Sequence, residues 1–264
     1  MILVRFMLLF LGLLVFTLSA LPATAFGEQP SIFLPLSNET DASTTIDGVW
    51  TAPDEWSNAS ETFANYTDGT QLVIRGKHDS SSLFLLLEMP QDYVLDGHAA
   101  VCFDTLNDGG PYMNPDDYCF VLGRNNLKEY HGDGRTTLMQ ESEPNFQVIA
   151  SRGISNENSP HKSDKSHVTY EFKIPLEYLS DDRTDYGFYV TYDTRGQTTN
   201  YTYYYSWPDY KSASYLRVVP PRGWGQLEIS SETVVPEFPL SVVGIIAGTI
   251  GIAAVLTRTR FLKA

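Results

Sequence analysis

Residues 167–179 read HVTYEFKIPLEYL, and this stretch decides the fold class. Apolar and polar side chains alternate from Val168 to Ile174, with the apolar ones at the even positions. A period of two is typical of a β-strand with one face buried and the other face in solvent. Pro175 has no backbone N–H group, so it ends the strand. The stretch therefore predicts a half-buried antiparallel strand followed by a short turn.

Similar runs of β-branched and aromatic residues recur along the chain, separated by Gly, Asp, Asn and Ser clusters. They predict an all-β fold, an antiparallel β-sandwich of the jelly-roll or immunoglobulin-like type, over residues 44–230. We expect residues 26–43 to be a leader arm, residues 231–237 a linker, and Gly153–Ser166 a mobile loop on which His161 and His167 are solvated. The predicted strands are QLVIRGKH (71–78), SLFLLLEM (82–89, covered on both faces), HAAVCFDT (98–105), DYCFVLGR (117–124), NFQVIASR (145–152), YGFYVTYD (186–193), TYYYSWPD (202–209) and GQLEIS (225–230).

Both ends of the chain are apolar. Residues 1–25 combine a basic start, an apolar run and a small-residue site, which predicts a signal peptide cleaved before Phe26; an uncleaved anchor helix is the alternative. Residues 238–257 carry no charge and are long enough to cross a hydrocarbon core of about 30 Å. Basic residues follow in the tail, 258–264, so the positive-inside rule places that tail in the cytoplasm. We expect an exported, single-pass protein at the cell surface.

The formal net charge is −14, from 18 basic and 32 acidic residues. Such a surface repels phosphate backbones, so nucleic acid is not an expected partner. A solubilising role for the acidic surface is the simpler reading. In an exported chain, the sequons at Asn38, Asn58, Asn65 and Asn200 are candidate glycosylation sites.

Three segments, in order, resemble a known family. They are IDGVWTAPDEW (46–56), YEFKIPLEYL (170–179) and DYGFYVTYDT (185–194). Together they are similar to family 9 carbohydrate-binding modules and their DOMON-like relatives. The resemblance implies a β-sandwich that holds a poly- or oligosaccharide without cleaving it.

The segment VPEFPL before the apolar run resembles the PEF-type C-terminal sorting tails of archaeal surface proteins. That resemblance implies either an anchor that is retained or processing by an archaeosortase. A plain membrane anchor is the alternative.

The two cysteines, Cys102 and Cys119, stand at the two ends of one acidic loop. Outside the cell they can form a disulfide, which would close and order that loop; two buried free thiols are the alternative. The loop offers side-chain oxygens of the kind that Ca²⁺ binds, and the family resemblance also implies structural calcium. Long hairpin loops prefer the same residue types, so loop formation alone is the other reading. The candidate ligands are Asp104, Asn107, Asp108, Asp116 and Asp117.

Sugar recognition needs flat aromatic rings with polar neighbours. The segment NYTYYYSWPDY (200–210) places Tyr203, Tyr205 and Trp207 on one side of a strand, and Trp224 lies on another loop. Arg195, Asp193 and Asp209 are close in sequence and could bind hydroxyl groups. Core packing of these rings is the alternative.

Enzyme activity is not expected, because the chain has no G-x-S-x-G, H-E-x-x-H or Gly-rich phosphate motif. A structural or adhesive envelope protein, with a surface-layer protein as partner, is the first alternative function. A haem-binding electron-transfer domain, using Met89 or Met113 with His98, is the second.

Overall fold

The computed structural model describes residues 29–37, 44–124, 126–136, 140–141, 147–155, 157–161, 164–179, 183–195, 202–209 and 219–233. Within these ranges thirteen strands form one sheet, with short 3₁₀ helices at Leu176–Tyr178 and Pro221–Gly223. The strands are β1 (Ser31–Leu36), β2 (Ser60–Asn65), β3 (Gln71–His78), β4 (Ser82–Met89), β5 (His98–Asp104), β6 (Asp117–Leu122), β7 (Leu127–His131), β8 (Gln140–Glu141), β9 (Ile149–Ser155), β10 (His167–Pro175), β11 (Asp185–Arg195), β12 (Thr202–Trp207) and β13 (Gly225–Thr233).

The strand order is β8-β7-β6-β5-β11-β13-β1-β3-β4-β10-β9, with β12 paired to β11 and β2 paired to β3. All described pairings are antiparallel except those of β1, which runs parallel to β13 and β3. The sheet folds back on itself, so that β9 at one end of the order lies beside β6 near the other end. We call the gap between these two ends the seam. The predicted antiparallel β-sandwich is confirmed.

One shared core lies between the two halves of the sheet. The half containing β5 and β6 contributes Val101, Phe103 and Phe120, while β4 and β10 contribute Leu85 and Phe172 from the opposite side. Every residue of β4 is buried, as expected for a strand covered on both faces. The core therefore holds together strands that are far apart in the chain.

The second face of β10 is also buried, contrary to the expected solvent exposure. Thr169 and Glu171 on that face have no exposed surface. The reason is that residues 44–59, which we call the entry segment, lie across them. The Glu171 carboxylate accepts hydrogen bonds from the backbone N–H groups of Asp47 (3.0 Å) and Gly48 (2.7 Å) and from Nε1 of Trp56 (3.1 Å).

The entry segment builds a second, smaller core on the outside of β3 and β4. Trp50 and Trp56 pack there against Phe84 and Leu86. Two cations of β3 lie over the indole rings, Arg75 at 5.0 Å from Trp50 and Lys77 at 5.6 Å from Trp56. The I-D-G and E-W residues of the sequence motif are therefore structural.

Three further expectations are corrected by the structure. Part of the presumed leader arm is strand β1, so the domain extends from Ser31 to Thr233. The loop after β9 is partly fixed, because Nδ2 of Asn158 donates to the carbonyl of Trp50 at 2.8 Å. His167 is fully buried, and its Nε2 lies 3.1 Å from Glu88.

Candidate functional site

A disulfide between Cys102 and Cys119 closes the acidic loop. The two residues face each other in the ladder between β5 and β6, with their Cα atoms 4.1 Å apart. They are buried together with Met113, Tyr189 and Trp224. The predicted bridge is confirmed.

Three carboxylates meet at the loop end of this hairpin. Asp104 ends β5 and faces Asp117, which begins β6, and Asp116 precedes it. One oxygen from each of the three lies within 4.8 Å of the other two. Asp104 and Asp117 are buried, and Asp116 is partly exposed. The arrangement concentrates negative charge where water cannot fully solvate it.

The hydrogen bonds of this cluster leave some oxygens unused. Asp104 accepts the backbone N–H groups of Asp108 (3.2 Å) and Gly109 (2.9 Å), and Asp117 Oδ2 accepts that of Asn114 (2.5 Å). Oδ1 of Asp117 and Oδ2 of Asp116 are buried and have no hydrogen-bond partner. Unpartnered buried carboxylate oxygens fit a hard divalent cation, which prefers oxygen ligands.

The raised pKa values of two of these carboxyl groups also fit a site for a divalent cation. Burial, together with the nearby carboxylates of Asp104 and Asp116, raises the pKa of Asp117 to about 8. Burial, with the charges of Asp108 and Asp104, also raises the pKa of Asp116. A bound cation would remove the repulsion that disfavours the charged forms.

Two of the predicted ligands make other contacts. Asn107 donates from Nδ2 to Asp185 at 2.8 Å, and Asp108 accepts from Nδ2 of Asn114 at 3.2 Å. Asp104, Asp116 and Asp117 are therefore the members of the predicted set that the structure brings together as a compact carboxylate cluster.

The two tryptophans expected to stack on a sugar lie in the core. Trp207 is 5% exposed and packs against Phe188, with ring centroids 5.9 Å apart. Trp224 is 1% exposed and stacks on Tyr189, with centroids also 5.9 Å apart. Neither indole presents a face to solvent, so the core-packing alternative holds for both.

The other residues predicted for sugar binding do not form one site. Tyr205 is buried, and its hydroxyl donates to Asp68 at 2.9 Å. Asp193 is buried and accepts from the backbone N–H of His98 at 2.8 Å. Tyr203 and Asp209 are exposed. The side chain of Arg195 lies outside the described residues.

A cleft of about 400 Å³ opens at the seam, between the β6–β7 turn, strand β9 and the connection from β4 to β5. We call it the seam cleft. Its walls combine aliphatic side chains with hydrogen-bonding ones, a mixture that suits a ligand with both apolar and hydroxylated surfaces. The lining residues are Leu95, Leu122, Gly123, Arg124, Asn126, Leu127, Ala150, Ser151 and Arg152.

Sequence reasoning missed the seam cleft. Its residues come from three segments that are distant in the chain, and none of these segments carries a recognisable motif. Only the folding back of the sheet, which brings β9 beside β6, places Arg152 near Arg124. A single sequence carries no signal of that closure.

The residues proposed for haem lie in different places. Met89 belongs to the main core, whereas Met113 belongs to the cluster around the disulfide. Nδ1 of His98 lies 3.0 Å from Asp193. The structure thus accounts for both methionines as packing residues.

Several expectations concern residues outside the described ranges: the signal peptide (1–25), the apolar run (238–257), the tail (258–264) and the sequons at Asn38 and Asn200. Of the other sequons, Asn65 is exposed, while Asn58 is partly buried, with its Oδ1 3.3 Å from Nζ of Lys77. In the described part of the chain, no helix has the length and apolar character needed to cross a membrane.

Comparison with known proteins identifies the fold. No family model and no curated protein matches the sequence. A family 9 carbohydrate-binding module from Caldicellulosiruptor kristjanssonii in complex with glucose matches with a TM-score of 0.52 and 13% identity, covering 79% of this chain and 100% of the module. A module from the same organism in complex with cellotriose matches with a TM-score of 0.51 and 15% identity, covering 80% of this chain and 100% of that module. The chain has the fold of these modules.

Proposed function

We propose that this protein is a non-catalytic carbohydrate-binding module. The supporting observation is the fold, which is similar to complete family 9 modules that were solved with glucose and with cellotriose. Because folds host many functions, the proposal also needs a site in this chain. The seam cleft is our candidate for that site.

The seam cleft has the chemistry that a pyranose ring requires. Leu95, Leu122 and Leu127 provide an apolar surface for the C–H face of a sugar. Asn126 offers an amide group to the ring hydroxyls. A volume of about 400 Å³ is within the usual range for small-ligand pockets. In this cleft leucine side chains, and not the predicted aromatic rings, would contact the apolar face of the sugar.

We propose further that the protein acts at the cell surface. The apolar segments at both ends of the sequence support export and anchoring by one C-terminal helix, with the sandwich outside. The PEF-like tail supports a sorting role for that end. Exposed Asn65 is a candidate glycan acceptor.

Glycan-array binding by the purified protein tests the function. We expect specific binding that Ala150→Trp abolishes, because Ala150 lies on the same face of β9 as Arg152 and the indole would fill the seam cleft. Ser80→Trp, at an exposed serine in the β3–β4 turn, is the control and should bind normally. Normal binding by the Ala150 variant would move the site elsewhere. A folded protein that binds no glycan would favour the envelope-protein alternative.

We also propose that Asp104, Asp116 and Asp117 hold a structural calcium ion. The unpartnered buried oxygens of Asp116 and Asp117 support this assignment. When bound, the ion would compensate the carboxylate charges and hold the ends of β5 and β6 together.

Calcium titration by calorimetry, with thermal unfolding in calcium and in chelator, tests the ion site. We expect calcium to raise the melting temperature of the wild type and to leave that of Asp117→Asn unchanged. Asp54→Asn changes an exposed carboxylate in the entry segment and should behave like the wild type. Equal responses of both variants would place the ion elsewhere.

A further inference from the structure

The seam cleft holds two arginines in a protein whose net charge is −14. Arg124 is neutralised, because its guanidinium forms an ion pair with Asp96. Arg152 forms no ion pair with any carboxylate in the described residues. The carboxylates of Asp193 and Asp92 act on the neighbouring Tyr170, but neither is paired directly with Arg152, so a ligand carboxylate can take that place.

The guanidinium of Arg152 is held in place by the two neighbouring walls of the cleft. Nη1 donates to the carbonyl of Gly97 at 3.1 Å, and Nη2 donates to the carbonyl of Arg124 at 3.0 Å. These are neutral acceptors, so they orient the side chain without cancelling its charge. An arginine has five N–H donors, and those not used in these two bonds or towards the Tyr170 hydroxyl remain for a ligand.

The surroundings of Arg152 are poor in water. The fully buried Tyr170 lies next to it: burial raises the pKa of the Tyr170 hydroxyl, and the positive charge of Arg152 opposes that rise. The Arg152 guanidinium is also a side-chain hydrogen-bond partner of the Tyr170 hydroxyl. A charged contact made in such a partly desolvated place is stronger than one on the open surface.

We propose that the seam cleft binds a uronic-acid unit of an acidic saccharide, with the sugar carboxylate paired to Arg152. A planar carboxylate matches the guanidinium fork, and the leucines and Asn126 would receive the ring. This inference rests on the proposed saccharide binding and adds the class of sugar. Because the whole protein is acidic, a densely charged polymer is repelled at long range, and short oligomers should bind best at moderate salt.

Calorimetry with three oligosaccharides tests the inference: trigalacturonic acid, its fully methyl-esterified form and cellotriose. We expect the acid to bind at least about tenfold more tightly than its ester, the size of one good charged contact. Arg152→Met should bring the acid down to the affinity of the ester. Arg135→Met removes an exposed arginine outside the cleft and should leave the preference unchanged.

Arg152 also donates hydrogen bonds to two backbone carbonyls, so its replacement could disturb the fold. Asn126→Asp therefore serves as a second variant, which adds a negative charge at the wall of the cleft and keeps Arg152. It should weaken binding of the acid more than that of the ester. Equal binding of acid and ester by the wild type, sensitive to Ala150→Trp, would overturn the acidic assignment while leaving saccharide binding intact. Binding of none of the three, with none on the glycan array, would overturn both.

Discussion

At the scale of single residues, Glu171 shows how a buried carboxyl group can serve packing. Both of its carboxylate oxygens accept N–H groups, Oε2 from Asp47 and Gly48 and Oε1 from Trp56. The residue thus joins the outer face of β10 to the entry segment. Removing the acceptor capacity of either oxygen would leave a buried donor unsatisfied.

We expect Glu171→Gln to lower the free energy of unfolding by about 1–3 kcal/mol, the cost of an unmade buried hydrogen bond. The reason is that an amide has only one oxygen, so its NH₂ group would face an N–H donor. Chemical denaturation measures the change. Glu177→Gln, on an exposed carboxylate six residues later, is the control and should have little effect.

The same residue predicts a dependence of stability on pH. Burial raises the pKa of Glu171 from the ordinary glutamate value of 4.5 to about 8. A carboxyl whose pKa is raised by folding contributes stability below the unfolded pKa and loses it as the pH rises through the folded one. The melting temperature should therefore fall between about pH 4.5 and pH 8, and less so in Glu171→Gln. If the melting temperature falls equally with pH in the wild type and in Glu171→Gln, Glu171 is not the group responsible.

Replacing Gly48 and Gly69 allows two costs to be measured separately, the backbone strain at a positive φ and the steric overlap of an added Cβ. Both have a positive φ, +92° and +85°, which disfavours any side chain. A Cβ on Gly48 would lie 2.3 Å from the carbonyl carbon of Arg152, whereas one on Gly69 would meet nothing within 4 Å. We expect Gly69→Ala to cost about 1 kcal/mol and Gly48→Ala at least about 3 kcal/mol by denaturation. Equal losses would mean that the entry segment moves freely away from β9.

At the scale of elements, the disulfide fastens the β5–β6 hairpin. Its cysteines are separated by 17 positions, and a loop of this size predicts a loss of about 3 kcal/mol when the bond is absent. Cys102→Ser with Cys119→Ser should show that loss, together with weaker calcium binding, because the ends of β5 and β6 are then less fixed. Calorimetry on the reduced wild type should agree. Unchanged calcium affinity would show that hydrogen bonds alone order the loop.

The sequence predicts strands correctly where one face or both faces of the strand are buried. The runs at 71–78 and 82–89 coincide with β3 and β4 because their hydrophobic residues mark them clearly. The missed strands give weaker signals: β2 (SETFAN) and β7 (LKEYH) are largely polar, and β1 contains Pro35. Their places are set by pairing with β3, β6 and β13, which one sequence does not reveal.

The sequence predicts local features better than distant ones. The acidic hairpin carries its cysteines and carboxylates within one loop, so the disulfide and the proximity of Asp104, Asp116 and Asp117 follow from one stretch of chain. The rings of Trp207 and Trp224 could not be placed, since an aromatic residue on a strand points either inward or outward. The seam cleft depends on the return of β9 towards β6, a property of the whole sheet.

At the scale of the whole molecule, the two candidate sites occupy opposite ends of one hairpin. The carboxylate cluster lies where β5 ends at Asp104 and β6 begins at Asp117. The seam cleft lies past the other end of β6, at Leu122 and the turn that follows. At about 3.3 Å per residue the two ends are about 20 Å apart. Calcium should then act on stability, and only indirectly on the sugar.

This separation yields the last prediction. Chelation should lower the melting temperature, yet at temperatures well below unfolding it should change saccharide affinity by less than about twofold, because no carboxylate of the cluster lines the seam cleft. Asp117→Asn should likewise keep wild-type saccharide affinity, while Ala150→Trp should keep the calcium response and lose the saccharide. Calorimetry of each variant with calcium and with oligosaccharide measures both properties. A large loss of saccharide affinity in chelator, from protein that circular dichroism shows to be folded, would mean that the hairpin couples the two ends.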